Sequence, residues 1–307
     1  MKDKSKTELV KSLPKEVFEK YLYEDKLSCK KIGELYGVSE TFINRWLHSL
    51  GLNVTAQNFD RFAKFNIHKF DVIDTEEKAF WLGFLYADGC VSADRWSVCI
   101  KLAEKDYDHV KKFKDFLEDT RDDNKIRRVV EIKEGREFVS YSYEVFNKTL
   151  VTTMIRLGCI PNKSLILKFP DESVFARKEL VYDFIRGYID GDGCITTNGK
   201  KGRMQIYVLG TEHFLNGIRR YFPQFSKLMK KNNIYAITCN SNMADQVGYK
   251  LYENATIYLD RKRNNYTALC WLHNSETSDK IGESCDANAE VTPEIAKGSE
   301  STVENSE

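Results

Sequence analysis

The sequence predicts an α+β protein in which two pseudo-symmetric halves, each with the element order αββαββα, follow a small all-α domain. The main observation is a repeat: the stretch IRGYIDGDGCI at 185–195 has a looser upstream copy, WLGFLYADGCV at 81–91. Hairpin and helix patterns then follow both copies in the same order, which indicates one supersecondary unit present twice. The halves are predicted at 75–170 and 171–274, with two four-stranded antiparallel sheets forming a saddle hinged on the repeated helices.

The N-terminal segment, 1–60, predicts the small helical domain. Apolar residues at 32, 35 and 36 fit one short helix, GVS at 37–39 is a turn, and positions 42, 43, 46 and 47 form the stripe of a second helix. This pattern resembles a helix-turn-helix DNA-binding unit, although a plain helical hairpin packed on the main body would share it. The outward candidates for contact with DNA are Thr41, Asn44 and Arg45, with Glu40 and His48 beside them. Residues 61–74 are interpreted as a linker.

Both repeated stretches predict an apolar helix with small residues on one face. Gly83 and Ala87 are four positions apart in the first copy, as are Gly187 and Gly191 in the second. Residues at i and i+4 share one face of a helix. The two helices are therefore expected to cross at close range.

Each predicted helix ends in Asp-Gly. Gly89 and Gly193 are expected to adopt the left-handed conformation that ends many helices, which leaves Asp88 and Asp192 at the C-terminal ends of the crossed pair. A helix C-terminus disfavours a carboxylate, and two adjacent carboxylates repel each other. A divalent cation removes both penalties, and Mg²⁺ often takes only one or two protein carboxylates. The pair therefore predicts a metal site, against the alternative of two unrelated Asp-Gly turns after buried helices.

These motifs resemble the LAGLIDADG homing endonucleases in their single-chain, two-motif form. The GYIDGDG core of the second copy is the closer match, whereas Trp81, Leu82 and Tyr86 of the first stand where the family usually has Leu, Ala and Asp. The resemblance spans about 75–266 and implies a saddle that binds double-stranded DNA and cuts one phosphodiester per strand. It also implies two or more Mg²⁺ ions.

The same resemblance implies the residues of the catalytic centres. Asp88 and Asp192 are the expected metal ligands, with the backbones of Gly89 and Gly193 as further candidates. Family members carry a basic residue just after the last helix of each half. The matching positions in this chain are Lys163 in the first half and Lys262 in the second.

Side chains on the predicted strands are candidates for contact with DNA, since ribbons of two strands fit the major groove and polar side chains bind bases and phosphates. Any one of them could be an ordinary exposed strand residue. The candidates are Arg95, Ser97, Lys101, Arg127, Ser140, Ser142, Arg203, Gln205, Tyr207 and Lys227.

Charge is unevenly distributed along the chain. The segment 275–307 carries nine acidic and two basic residues, so the preceding residues carry a net charge of +8 although the whole chain carries +1. A basic body suits a polyanionic partner, and the acidic segment predicts a disordered tail. The eight cysteines are scattered with no CxxC pair, which favours reduced thiols in a cytoplasmic protein. No apolar run or signal-peptide core predicts contact with a membrane.

The leading hypothesis is therefore a monomeric, free-standing endonuclease with a long asymmetric DNA target. Two alternatives remain open. One is a DNA-binding regulator that keeps the fold without cleavage, and the other is a maturase-like protein that binds intron RNA. The retention of both aspartates favours the nuclease over the regulator, and the helix-turn-helix pattern favours DNA over RNA.

Overall fold

A computed structural model describes residues 3–25, 27–52, 63–198 and 203–270. The predicted acidic tail, 275–307, lies outside these residues, as does the region 53–62 between the N-terminal domain and the main body. Among the described residues, no helix is long and apolar enough to cross a membrane, and all seven cysteines are free thiols.

The described N-terminal residues form four short α-helices, the second of which continues as a π-helix at Lys20–Glu24, around a hydrophobic core of their own. Ser28 and Ser39 cap the third and fourth helices through their hydroxyl groups, and Gly37 ends the third with a φ of 63°. A Cβ on Gly33 would lie 2.7 Å from the carbonyl oxygen of Val38, so only glycine permits this tight approach between helix and turn. The helices are α1 (Asp3–Ser12), α2 (Lys15–Glu19), α3 (Cys29–Tyr36) and α4 (Glu40–Ser49).

The main body has the predicted order of helix, hairpin, helix, hairpin and helix, present twice. Each half contains one antiparallel four-stranded sheet, with strand orders β1-β2-β4-β3 and β5-β6-β8-β7. The fold-class prediction is confirmed. The first half comprises α5 (Glu76–Ala87), β1 (Gly89–Ser92), β2 (Ser97–Ala103), α6 (Tyr107–Phe116), β3 (Ile126–Lys133), β4 (Arg136–Phe146) and α7 (Lys148–Arg156). The second comprises α8 (Leu180–Asp192), β5 (Gly193–Asn198), β6 (Arg203–Gly210), α9 (Glu212–Tyr221), β7 (Met229–Lys231), β8 (Ile234–Asn240) and α10 (Asn242–Tyr252).

The repeated helices α5 and α8 cross at the centre of the larger core. A Cβ on Gly83 would lie 1.9 Å from the carbonyl oxygen of Phe184, and one on Gly187 would lie 2.0 Å from that of Phe80. Any side chain at either position would force the two helices apart. The close crossing predicted from the small residues is thus present, and the two contacts are related by the pseudo-symmetry of the halves.

The residues interpreted as a linker, 61–74, belong in large part to the main body. Phe70 and Ile73 are completely buried in its core, and Ile73 forms an isolated parallel bridge with Phe175. The prediction of a linker is therefore wrong for 63–74. The stretch has no regular period because isolated apolar residues, and not a helix or strand face, anchor it.

Candidate active site and nucleic-acid interface

The two aspartates of the repeated motifs lie at adjoining helix ends. Asp88 directly follows α5 and Asp192 is the last residue of α8; both are exposed. A Cβ on Gly191 would lie 3.5 Å from Oδ2 of Asp88 and 2.3 Å from Cβ of Ala87, which shows how closely the two ends approach. The crossing of the helices therefore brings together two carboxylates that are 104 positions apart in the sequence.

The glycines after these aspartates have a different role from the one predicted. Neither Gly89 nor Gly193 has a positive φ, and that of Gly193 is −80°. A Cβ at these positions would lie 2.6 Å from the carbonyl oxygen of Leu85 and 2.5 Å from that of Ile189. The prediction of a left-handed cap is wrong: glycine is required because each strand starts against the last turn of its own helix.

Both carboxyl groups have raised pKa values. Burial by the packed helix ends, followed by the negative charge of Asp192, raises the pKa of Asp88 to about 6. Burial also raises the pKa of Asp192. The residues are open to solvent on one side, but dense protein on the other weakens the solvation of the ionised forms. Ionising the pair therefore costs free energy that a bound cation would return.

The two lysines implied by the family resemblance lie at these same helix ends. Lys163 donates a hydrogen bond to the carbonyl oxygen of Gly89. Lys262 is 4% exposed and donates to the carbonyl oxygens of Ile189 (2.8 Å), Gly191 (2.9 Å) and Gly193. Burial lowers the pKa of Lys262. Each lysine thus neutralises the partial negative charge at the end of one repeated helix.

Electrostatic influence crosses between the halves. After burial and the charge of Asp192, Lys262 acts most strongly on the pKa of Asp88, ahead of Lys163. For Asp192 the positive charge of Lys163 lowers the pKa more than that of Lys262 does. Lys163 and Asp192 also line one cavity of about 380 Å³ together with Tyr188. We therefore describe two composite centres, Asp88 with Lys262 and Asp192 with Lys163.

The donor set at this place fits a small number of hard cations. Among the described residues, no group of three or more His, Cys, Asp or Glu side chains could hold a metal ion. Asp88 and Asp192 offer only oxygen ligands, and both lysines donate to backbone carbonyls and not to these carboxylates. Mg²⁺ is commonly held by one or two carboxylates, with water and phosphate oxygens completing its shell. The site is therefore compatible with Mg²⁺ held partly by substrate.

A buried polar network holds the segment that leads to Lys262, through the backbones of Ile257 and Leu259, and it was not predicted from the sequence. Asp190 is completely buried and accepts hydrogen bonds from the Tyr252 hydroxyl (2.5 Å) and the Leu259 backbone N–H (2.7 Å). Arg186, 3% exposed, donates to the carbonyl oxygen of Ile257 at 3.0 Å. Both residues lie on α8, and charged residues within such an apolar helix could have indicated a buried structural role.

The candidate DNA-contacting residues of the first half share one face of its sheet. Lys101, Arg127 and Ser142 are register partners across three strands, and Ser140 lies on the same face. Arg95 is exposed in the β1–β2 turn and pairs with Glu144 at 3.0 Å. Lys101 is paired with Glu131. Arg95 and Lys101 are therefore already partnered in the free protein.

The prediction that the side chain of Ser97 is open to contact with DNA is wrong. Its position in the alternation places it on the same face as Lys101, but the residue is 1% exposed. It lies where β2 pairs with the ends of both β1 and β4. Alternation gives the face on which a side chain lies, but not what covers that face.

The second half presents a comparable but different surface. Arg203 is exposed, and Gln205 donates to Thr238 Oγ1 (3.1 Å) and Asn240 Oδ1 (2.8 Å) of the neighbouring strand. Tyr207 is half-buried. Lys227 is exposed but precedes β7, which begins at Met229. The two sheets therefore differ in the chemistry of their open faces.

The outward residues of α4 are exposed as expected. Thr41, Asn44 and Arg45 are all exposed, while Ile43 and Leu47 on the opposite face are completely buried. Arg45, the charged member of the three, has no salt bridge among the described residues. This face is open to a partner.

Comparison with known proteins shows similarity at the level of structure alone. No protein-family model and no curated protein matches the sequence. The LAGLIDADG meganuclease I-AabMI, bound to uncleaved DNA, is 14% identical, with a TM-score of 0.43 over 65% of this chain and 91% of that one. The homing endonuclease I-WcaI, bound to its DNA recognition sequence, is 10% identical, with a TM-score of 0.46 over 70% and 96%.

A third similar structure is full-length WhiA from Thermatoga maritima, 12% identical, with a TM-score of 0.38 over 70% of this chain and 68% of that one. At these identities and TM-scores, we base no functional conclusion on the likeness. The function of this chain is inferred from its own residues.

Proposed function

We propose that this chain is a site-specific, Mg²⁺-dependent endonuclease that hydrolyses one phosphodiester in each strand of double-stranded DNA. The observation that carries the proposal is the pair Asp88 and Asp192, held at adjoining helix ends with a lysine beside each. Two carboxylates related by a pseudo-twofold axis match the two strands of a duplex, which are themselves related by a twofold axis. A purely structural role would not explain why the fold keeps two carboxyl groups where ionising both is unfavourable.

The residues have distinct parts in hydrolysis. Asp88 and Asp192 would hold Mg²⁺, which would supply Lewis acidity and lower the pKa of bound water. Lys262 and Lys163 provide fixed positive charge where the phosphate would gain negative charge. Because each lysine is anchored on backbone carbonyls, its charge is in position before substrate arrives. Tyr188 acts on Asp192 through a hydrogen bond that lowers its pKa, which favours the ligating form.

The sheets and the N-terminal domain supply recognition. Lys101 and Arg127 on one sheet face, and Arg203 and Gln205 on the other, have the donors that bind phosphates and base edges. The exposed face of α4 adds a helix of the kind that enters a major groove. Three recognition surfaces on one chain suit a single long DNA target that also passes the catalytic cleft.

Selection from a randomised duplex library with Mg²⁺ tests the proposal. We expect recovered duplexes to be cut once in each strand, and we expect EDTA to prevent cleavage but not recovery by binding. The matched control is the double variant Asp88→Asn, Asp192→Asn, which should bind the same duplexes and cut neither strand. Sequence-specific binding without cleavage by the unmodified protein would contradict the proposal and favour a regulator. Cleavage by the folded double variant would contradict the role of the aspartates.

A further inference from the structure

The lysine-bearing segments that follow the last helix of each half cross over to the opposite half. We call residues 159–169, which carry Lys163, the first strap, and residues 255–262, which carry Lys262, the second strap. The first strap contacts α9 of the second half: the backbone N–H of Phe169 donates to Nδ1 of His213 at 3.2 Å. The second strap contacts α6 and α5 of the first half. Each composite centre therefore depends on docking between the halves.

The first strap docks through apolar packing, uncharged hydrogen bonds and a contact between the Arg220 guanidinium and the face of the Phe169 ring, 5.7 Å from its centroid. The ring of Phe169 occupies the place where Gly217 lacks a side chain, since a Cβ there would lie 2.1 Å from its Cγ. The hydroxyl of Thr211, immediately before α9, donates to the carbonyl oxygen of Leu167. Among the described residues, no salt bridge joins the first strap to the second half.

The second strap docks through ion pairs. At the position immediately before α6, which matches Thr211 in the repeat, Asp106 accepts two hydrogen bonds from Arg261, from Nε to Oδ1 and from Nη2 to Oδ2, both of 3.0 Å. The Asp106 side chain is 7% exposed and that of Arg261 37%. Two parallel bonds from a planar guanidinium fix orientation as well as distance. A second pair, Lys112 with Asp260 at 2.7 Å, is exposed on both sides.

Arg261 directly precedes Lys262 in the chain, so its orientation sets the backbone from which Lys262 reaches the cleft. Asp106 also contributes to the raised pKa of Asp88, which places it near the centre that contains Asp88 and Lys262. Lys262 itself donates to carbonyl oxygens of α8 and of the first residue of β5, whereas Arg261 is fixed to the first half. Arg261 thus binds the first half and Lys262, the next residue, binds the second half, which fixes the lysine between them.

Building on the proposed function, we infer that Arg261 is a positioning residue for the centre formed by Asp88 and Lys262, and that it acts through its paired hydrogen bonds to Asp106. It touches no reacting atom. Its effect is confined to one of the two centres, because among the described residues no salt bridge fixes the first strap to the second half. The two DNA strands should therefore respond differently when this pair is broken.

Strand-resolved cleavage tests the inference. With a duplex from the library selection carrying a different label on each strand, Arg261→Gln and Asp106→Asn should slow one strand about 10- to 100-fold under single-turnover conditions. That strand should be the one whose cleavage Asp88→Asn abolishes, while the other strand changes by less than about twofold. DNA affinity in EDTA should be unchanged. Arg261→Lys, which keeps the charge without the fork, should restore the rate in part.

Lys112→Gln is the matched control, because it breaks an exposed ion pair on the same strap and exposed pairs contribute little. If it slowed the same strand as strongly as Arg261→Gln, general loosening of the strap would replace the specific role of Arg261. Equal slowing of both strands by Arg261→Gln would also overturn the inference, since loss of folded protein affects both centres alike.

A second measurement needs no DNA. Lys262 is buried and should react slowly with an amine-acylating reagent, detected by mass spectrometry of peptides, whereas half-buried Lys163 serves as the internal reference. Arg261→Gln and Asp106→Asn should accelerate acylation of Lys262 relative to Lys163 about tenfold or more, as local opening becomes easier. An unchanged ratio would overturn the inference. If the unmodified protein cut no duplex, the proposed function would fail while this ratio still decided the role of Arg261.

Discussion

At the scale of single residues, the central feature is a pair of carboxylates whose surroundings disfavour their ionisation. Asp88 and Asp192 approach each other because two helices cross at glycines, and Lys262 and Lys163 offset only part of the resulting charge. Removing one carboxylate should therefore separate stability from activity. A residue that merely capped a turn would lose both together.

Replacing either aspartate with asparagine should abolish cleavage at one centre while DNA binding persists. Asparagine keeps the shape of the side chain but loses the charged oxygen ligand that Mg²⁺ prefers. We expect a fall of more than about 10²-fold in the rate for one strand, leaving a nicking enzyme. Nicked and linear plasmid products measure this, and retention of double-strand cutting by a folded single variant would contradict it.

The raised pKa of Asp88 also predicts a pH dependence of stability without metal. A carboxyl group whose pKa in the folded state, about 6, exceeds its value in the unfolded chain contributes stability below about pH 4 that is lost as pH rises through 6. In EDTA, the free energy of unfolding of Asp88→Asn should therefore rise relative to that of the unmodified protein as the pH increases from 4 to 7. Because the residue is exposed, solvent screening reduces the expected difference to about 1 kcal/mol.

Urea unfolding at a series of pH values measures that difference. At pH values above about 6, Mg²⁺ should raise the urea concentration at which half of the unmodified protein is unfolded. It should have no such effect on the double variant Asp88→Asn, Asp192→Asn. A gain for Asp88→Asn that is equal at both ends of the pH range would rule out the carboxylate charge as its cause.

The crossed arrangement of lysines and aspartates predicts which variants affect the same strand. Lys163→Met should slow the same strand as Asp192→Asn, and Lys262→Met the same strand as Asp88→Asn, since the pKa of each aspartate is lowered more by the lysine of the other half than by the lysine of its own half. Methionine keeps most of the length of the side chain and removes the charge. Labels specific to each DNA strand show which strand each variant slows. If Lys163→Met slowed the same strand as Asp88→Asn, each lysine would act in the half that carries it.

At the scale of elements, the molecule depends on two helices that cross without side chains between them. Gly187→Ala would place a Cβ 2.0 Å from the carbonyl oxygen of Phe80, a backbone atom that cannot move alone. We expect it to lower the free energy of unfolding by about 3 kcal/mol or more. Gly135→Ala is the control: its φ is 75° with no neighbouring atom within 4 Å, so about 1 kcal/mol of backbone strain is the whole cost.

The helices and strands could be predicted from the sequence, whereas burial and contacts between distant elements could not. Alternation and small-residue spacing depend on neighbours in the chain, so they identified the strands, the repeated helices and Asp88 with Asp192. Burial of Ser97 and Phe70 depends on distant elements, and neither has a local signal. The pairing of Arg261 with Asp106 spans 155 positions, which no pattern of period two or 3.6 can indicate.

The α4 helix is the element whose role is most readily separated from cleavage. Arg45→Ala with Asn44→Ala should weaken binding to the target by about 1–3 kcal/mol for each hydrogen bond to DNA that is removed and reduce its dependence on salt, while the cleavage rate at saturating enzyme is unchanged. Lys11→Ala removes an exposed charge from α1 of the same domain and should have little effect. Fluorescence anisotropy over a range of salt measures both, and equal affinity of the double variant would remove α4 from the interface.

At the scale of the whole molecule, one chain provides what a twofold-symmetric dimer would provide with two. The open faces of the two sheets differ, with Lys101 and Arg127 on one and Arg203 and Gln205 on the other. A protein with unlike faces should bind unlike half-sites. The N-terminal domain, with its own core, adds a third unlike surface.

We therefore expect a monomer that binds one non-palindromic duplex. Sedimentation velocity of the free protein should give the mass of one chain, 35.6 kDa, and the complex should contain one chain per duplex. Selected duplexes should show two different half-sites. An obligate dimer, or a palindromic target, would contradict the internal pseudo-dimer.

The second strap also bears on how the protein is synthesised. Thr256 binds Glu76 across 180 positions, and Lys262 lies close to the end of the described chain. A ribosome must therefore have synthesised nearly all of the main body before the centre with Asp88 can assemble. A nascent or prematurely terminated chain that ends before 255 has both aspartates but lacks the lysine and the strap that holds it. Under the proposed function, competence to cut both strands is thus deferred until translation of the second half is complete.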